Sequence, residues 1–270
     1  MIHLKKLFLL SVFIILIGCY QAPNSAVTAA DVVGTMAAHT LEAYTVPTIG
    51  PMQTGTPDPA EGPSTVVTQA ELEQGENDIL ADVLQASYYI WDIWGHRQYF
   101  GLGCEASAVV DWAEYLGVTV SEFAFQMRLP ISDNPDIGFV GSVDGPWGQV
   151  PPYAYGVHAA PVAKVLREHY GVNAAGEKGL TIEDLQWELA TGKPVIAWVI
   201  GNCVGGIPYE YIDHEGTPVI VAAYEHVVIL TGYDEDTIRY MNNGKFYDIP
   251  YENFANTWGV LGNMAVFLDD

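Results

Sequence analysis

Apolar and polar positions alternate in three different ways along the chain. Leu7 to Ile17 is an almost unbroken apolar run, too short to span a bilayer core of about 30 Å as a helix. From Tyr20 to about Gln85 no apolar period persists, apart from a weakly helical stretch at Ala29 to Tyr44. Beyond that the pattern becomes that of a folded domain. Ala106, Val109, Val110, Ala113 and Leu116 recur at helical spacing, predicting a helix from about Cys104 to Leu116 with Gly117 as its stop. Thr119-Val-Ser-Glu122 reads as a capping box opening a short helix over Phe123 to Met127. Pro161 suits the first turn of a helix reaching His169, and Thr181-Ile-Glu-Asp184 caps another. A long Gly/Pro loop, Pro130 to Gly156, precedes these two helices. The second half is β-branched and apolar: Val195 to Ile200, Val219 to Ala223, His226 to Thr231, Thr237 to Met241 and Met264 to Leu268. Helices first and a mainly antiparallel sheet afterwards predict an α+β fold.

Charge and composition sharpen the outer regimes. The 270 residues carry 33 acids against 10 bases, a formal charge of −23. Such a surface repels phosphate backbones and argues against a nucleic-acid partner. Lys5 and Lys6 precede the apolar run, which ends Leu16-Ile17-Gly18-Cys19. That ending resembles the lipobox of bacterial lipoproteins, which implies cleavage after residue 18, acylation of Cys19 and anchoring of an exported protein to a bacterial membrane. Between Lys6 and Arg97 there is no Lys or Arg, and residues 46–68 are rich in Pro, Gly and Thr. The segment lacks the apolar surface needed to offset its ordering entropy. The expected organisation is therefore a signal peptide over 1–18, an acidic tether over 19–85 and a domain over 86–270.

Candidate chemistry gathers at four positions. Cys104 follows Gly101-Leu-Gly103 and opens the first helix, where unpaired N–H groups and the macrodipole favour thiolate. Gln98, six residues earlier, could aim an amide donor at a developing oxyanion. His226 enters a very apolar strand, which suits a general base beside the thiol. On the next strand Ile238, Tyr240 and Asn242 share a face, so Asn242 could orient the ring. Asn243 is the rival, and Asn242-Asn-Gly244 is also a good hairpin turn. Three cysteines do not make a disulfide framework, and a Cys104–Cys203 disulfide would silence the nucleophile. His96, His158, His169 and His214 lack the spacing of a metal site, so neither metal nor cofactor is expected. Trp91 and Trp94 read as core or cleft wall, and Tyr153, Tyr155 and the Gly138 to Trp147 loop as a possible groove lining.

The order Gln98, Cys104, His226, Asn242 resembles the papain superfamily. Residues from about 95 to 268 are more specifically similar to the C39-like group, relatives of the double-glycine-leader peptidases. The resemblance is carried by Gln98…Gly103-Cys104-Glu105-Ala106-Ser107…Tyr115-Leu-Gly117, by His226-Val-Val-Ile-Leu-Thr-Gly-Tyr-Asp234 and by Phe254-Ala-Asn-Thr-Trp258. It implies a papain-like cysteine peptidase fold and a peptide or protein substrate, with Cys104 as nucleophile and Gln98 as oxyanion donor. His226 would be the base, with Asn242 or Asn243 orienting it. Separately, the protein is expected to act as a monomer. Two departures stand out. The group usually has Gly after the nucleophile, where this chain has Glu105, whose charge raises a thiol pKa if it points inward. It usually has Asp as third member, where this chain offers Asn, which orients the histidine without stabilising imidazolium. A catalytically degenerate peptide-binding module and transglutaminase-like acyl transfer are the alternatives.

Overall fold

The computed structural model describes residues 86–269, all within one compact unit, Thr65–Asp270. The expected signal peptide, Cys19 and the tether lie outside the described residues. Five α-helices and nine β-strands follow one another among the described residues. No helix there is long and apolar enough to cross a membrane.

The first strand, β1, is only Tyr88–Tyr89. Helix α1 runs Cys104–Tyr115 and ends as predicted, with Gly117 at φ +76. Helix α2 is Glu122–Gln126, and its cap differs from the expected one. Ser121, rather than Thr119, accepts the Ala124 N–H. The Glu122 carboxylate that a Thr119 box requires is instead held by the His96 ring and the Tyr99 N–H. Helix α3, Ala159–Val165, has Pro161 in its first turn, continues as a π-turn over Leu166–Tyr170 and stops at left-handed Gly171. After β2 (Ala174–Glu177), α4 spans Ile182–Ala190 and carries the predicted box: Thr181 and Asp184 satisfy each other's backbone N–H groups.

The remaining elements are β3 (Val195–Ile200), β4 (Tyr209–Ile212), β5 (Pro218–Val221), β6 (Glu225–Tyr233), β7 (Thr237–Asn242), β8 (Lys245–Pro250), α5 (Tyr251–Trp258) and β9 (Ala265–Leu268). One antiparallel sheet has the order β2-β9-β3-β6-β7-β8, with β1 added to the end of β6, and β4–β5 form a separate ribbon. The α+β class is thus the one expected. Strands β2, β4 and β8 escaped the sequence reading because each is half exposed and lacks a sustained apolar run. β3 and β6 are buried at every position, which explains why they read as continuous apolar text. Helix α1 packs its Ala106, Val109 and Ala113 face onto this centre.

The 130–156 loop, although without helix or strand, is tied down. Val140 pairs with Gly156. Asn134 donates to Asp213 at 2.8 Å, and the Asp136 carboxylate lies 2.6 Å from buried His158 Nδ1. Trp91 and Trp94, expected in the core or cleft wall, are instead 71% and 78% exposed. Trp91 shares the Arg239 guanidinium with Tyr89 in a cation–π stack that needs no burial.

Candidate active site

A cleft of about 290 Å³ opens between the start of α1 and the entry of β6. It is lined by Gln98, Gly101, Cys104, Trp147, Gly201, Asn202, His226, Asn242 and Asn243. The four residues singled out in the sequence therefore share one cavity.

Register explains how His226 and Asn242 meet. Strand β6 pairs with β7 through Ile229↔Met241, which carries Asn242 alongside Val228, one diagonal step from His226 on the same face. The bulge that could have broken this register lies between Leu230 and Gly232, on the far side of that pair. Asn242 Oδ1 sits 2.9 Å from His226 Nε2. The same oxygen accepts from Asn243 Nδ2 at 2.8 Å, while Asn242 Nδ2 donates to Asn202 Oδ1 at 2.9 Å. An oxygen facing Nε2 makes that nitrogen the N–H and leaves Nδ1 as the basic one. Asn242 ends the strand, and Asn243 (φ +50) and Gly244 (φ +73) make the two-residue hairpin turn. Asn243 Oδ1 also accepts the Gln98 N–H at 2.9 Å, joining the hairpin to the loop before α1.

Asn202 carried no signal in the sequence. It follows β3 and accepts from both Asn242 and the Tyr240 hydroxyl, a role settled only by the pairing of β3 with β6. Trp147 was legible merely as part of a loop. Its indole N–H donates to the Glu225 carbonyl at 3.0 Å, and its ring meets His226 edge-on at 6.2 Å. Tyr155 is buried under the loop and Tyr153 points to solvent, so neither lines the cleft. Tyr224, which packs against Trp147, enters β6 at φ +64, a conformation unusual for a bulky residue.

The loop before α1 is fixed by His96. Its Nδ1 lies 2.5 Å from Asp111 and its Nε2 3.0 Å from Glu122. Burial works against a charged ring, but these two carboxylates outweigh it and raise the His96 pKa. Gln98 is thereby placed at the cleft wall. Its amide nitrogen, however, donates to the Phe100 and Gly101 carbonyls at 2.9 and 3.2 Å, rather than pointing unpaired into the cavity.

The thiol departs furthest from expectation. Cys104 is 7% exposed, and its Sγ donates to Glu105 Oε2 at 3.2 Å. Glu105 points inward, accepts the Val157 N–H at 2.7 Å and is 1% exposed. Glu225, 3% exposed, stands beside it. Burial, then the charges of Glu105 and Glu225, push the Cys104 thiol well above its ordinary range; the Val227 N–H opposes them. The helix start therefore does not ionise this cysteine in the arrangement seen. Burial also pushes the Glu105 carboxyl up to about 7 and, with Glu105 as neighbour, drives Glu225 upward. Burial lowers His226, with Asn242 working in the opposite direction. Cys203 is a free, buried thiol, not a partner of Cys104.

Comparison with known proteins agrees with this architecture. Among solved structures, a Bacillus anthracis protein described as a C39-like peptidase superposes with a TM-score of 0.60 at 21% identity, over 68% of this chain and 98% of that one. At that identity the likeness speaks for the fold. A Carica candamarcensis cysteine protease, crystallised with E-64, covers 69% of this chain and 99% of its own at 17% identity, with a TM-score of 0.42, too loose to carry an argument. No curated protein matches the chain. The family model described as "Peptidase_C39 like family" matches residues 84–266, most of the chain and all of the cleft, and the chain belongs to that family.

Proposed function

We propose that the chain is a cysteine-type peptidase in which Cys104 attacks the substrate carbonyl and His226 moves the protons. The observation that carries the reading is the meeting, in one cleft, of the α1 N-terminal thiol with an imidazole oriented by Asn242. His226 Nδ1 would take the thiol proton and return it to the leaving amine. The N–H groups at the start of α1 would hold the oxyanion. Gln98 would join them once its amide gives up one of its two loop carbonyls. Asn242 would fix the tautomer, with Asn202 and Asn243 fixing Asn242. The substrate class is a peptide or protein amide.

The test is hydrolysis of a peptide library by wild type, Cys104→Ala and His226→Ala. The reading requires turnover that disappears with Cys104. Binding of peptides without turnover, unchanged in Cys104→Ser, would overturn it in favour of a degenerate binding module. The hydrogen bond from the thiol to Glu105, in place of one to the imidazole, is the observation that favours this second reading.

The proposal extends to location: export and attachment of the domain to a bacterial membrane through lipid on Cys19. Incorporation of labelled fatty acid that is abolished in Cys19→Ala is the expected outcome, and equal incorporation in both proteins contradicts it.

A further inference from the structure

Behind the thiol lies a cluster that the peptidase reading does not use. Glu105 comes from the first turn of α1 and Glu225 from the start of β6, and with Cys104 they are three buried acidic groups in contact range. One ligand atom from each lies within 4.8 Å of the others. Two of the four carboxylate oxygens have assigned partners, both on Glu105: Oε1 takes the Val157 N–H and Oε2 the thiol. Glu225 Oε1 is buried without a hydrogen-bond partner. A buried, unpaired carboxylate oxygen is costly. Gly156 keeps the space open, since a Cβ there would stand 2.5 Å from Glu105 Oε1 and 3.0 Å from Glu225 Oε2. Three ionisable groups crowded together, with a buried carboxyl oxygen of Glu225 left unpartnered, offer the donor set of a cation.

We propose that Cys104 Sγ, Glu105 and Glu225 form a binding site for a thiophilic divalent cation of the zinc class. One thiolate with two carboxylates suits zinc, and less so calcium or magnesium, which take oxygen alone. A tetrahedral ion with bonds of about 2.0–2.3 Å spaces its donors by roughly 3.3–3.8 Å. The present cluster therefore closes by side-chain rotation of about an ångström. On binding, the Cys104 S–H bond breaks, as does the O–H bond of each glutamate that carries a proton; those protons leave to solvent as the sulfur–metal and oxygen–metal bonds form. Two positive charges then face three negative ones, and the Val227 N–H still supports the sulfur. The metal-loaded thiol has no lone nucleophile to offer, so the ion would hold the cleft silent. The histidine and cysteine spacing along the sequence does not show this site, because two of its ligands are glutamates and Glu225 is brought in by the sheet.

The site stands independently of peptidase activity, and its test reads the metal directly. Cobalt(II) titrated into the full-length chain should develop thiolate-to-cobalt charge-transfer absorption, and Cys104→Ser should lose it, which controls for Cys19 and Cys203. Glu225→Gln, of equal size, should weaken cobalt binding at least ~10-fold, the lower end of what loss of a supporting group costs a metal site. His226→Ala should leave it within about twofold, well inside that margin. Glu105→Gln gives the same comparison if Glu225→Gln does not fold. The proposal is overturned by absence of the thiolate band in wild type. It is equally overturned if affinity falls with His226→Ala and not with the glutamate variants, which would place the ion on a thiol–imidazole pair.

Discussion

At the scale of the residue, Cys104 occupies a position that should ionise it and a setting that prevents this. A helix N-terminus lowers a thiol pKa, yet burial and two neighbouring carboxyls win, Glu105 through a hydrogen bond to the sulfur and Glu225 from within 4.8 Å. Glu105→Gln should therefore move the pH–rate profile of Cys104 alkylation toward neutral pH. A profile displaced by one pH unit corresponds to ~10-fold more thiolate at a given pH. An unmoved profile would mean that Glu105 does not set the ionisation. For the imidazole, His226→Ala should cost ~10²–10⁴-fold in kcat/KM. On the proposed mechanism Asn242→Ala should cost less than that, because the imidazole stays in place and loses only its orientation. A loss in Asn242→Ala equal to that in His226→Ala would assign the asparagine more than positioning.

At the scale of the element, the site depends on where β7 stops. Asn242 reaches His226 because the Asn243-Gly244 turn, at φ +50 and +73, ends the strand immediately after it. A Cβ on Gly244 would also stand 2.5 Å from the Gly95 carbonyl oxygen. Gly244→Ala should consequently impair activity and stability together, the strain outweighing the up to ~1 kcal/mol that replacing a glycine gains through reduced chain entropy. Helix α4 offers the contrast, since none of its residues lines the cleft. Thr181→Ala removes half of an observed capping box and should cost ~1 kcal/mol in denaturant unfolding, with kcat/KM unchanged. Lost activity in that variant, at temperatures where it stays folded, would show coupling that the packing does not suggest.

At the scale of the whole molecule, pH should act through the buried acids. Glu105 is raised from 4.5 to about 7 on folding. Its contribution is therefore fully present below pH 4.5 and is lost as the pH rises through about 7. Buried His158 and His226 are lowered, so stability contributed by their neutral forms grows toward pH 6.5, opposing the glutamate. Asp136 and Asp234, held down to about 2, matter only at much lower pH. The clean readout is thus the difference in Tm between Glu105→Gln and wild type, which should rise between pH 4.5 and 8. Each ~1 kcal/mol should appear as roughly 2–4 °C. A flat difference would show that Glu105 keeps its ordinary pKa in the fold.

How much of this could be read along the chain follows from what each inference needed. Periodicity and caps were enough for α1, α4, β3 and β6, because burial on one face or on both writes itself into local apolar text. Cys104 and His226, which line one cleft, were also picked out, as polar residues placed at the mouths of apolar elements. The half-exposed strands β2, β4 and β8 left no such text. Nor did the partners that tertiary packing brings together: Asn202 beside Asn242, Trp147 beside His226, and Glu225 beside Glu105. Sequence determined which residues could do chemistry, since side-chain type and helix position are local properties. Which of them touch, and hence whether the thiol proton faces an imidazole or a carboxylate, was decided by the pairing of β6 with its neighbours and by the close packing of α1 against that strand. Burial and electrostatic coupling arise from distances between segments far apart along the chain, and those distances exist only in the folded protein.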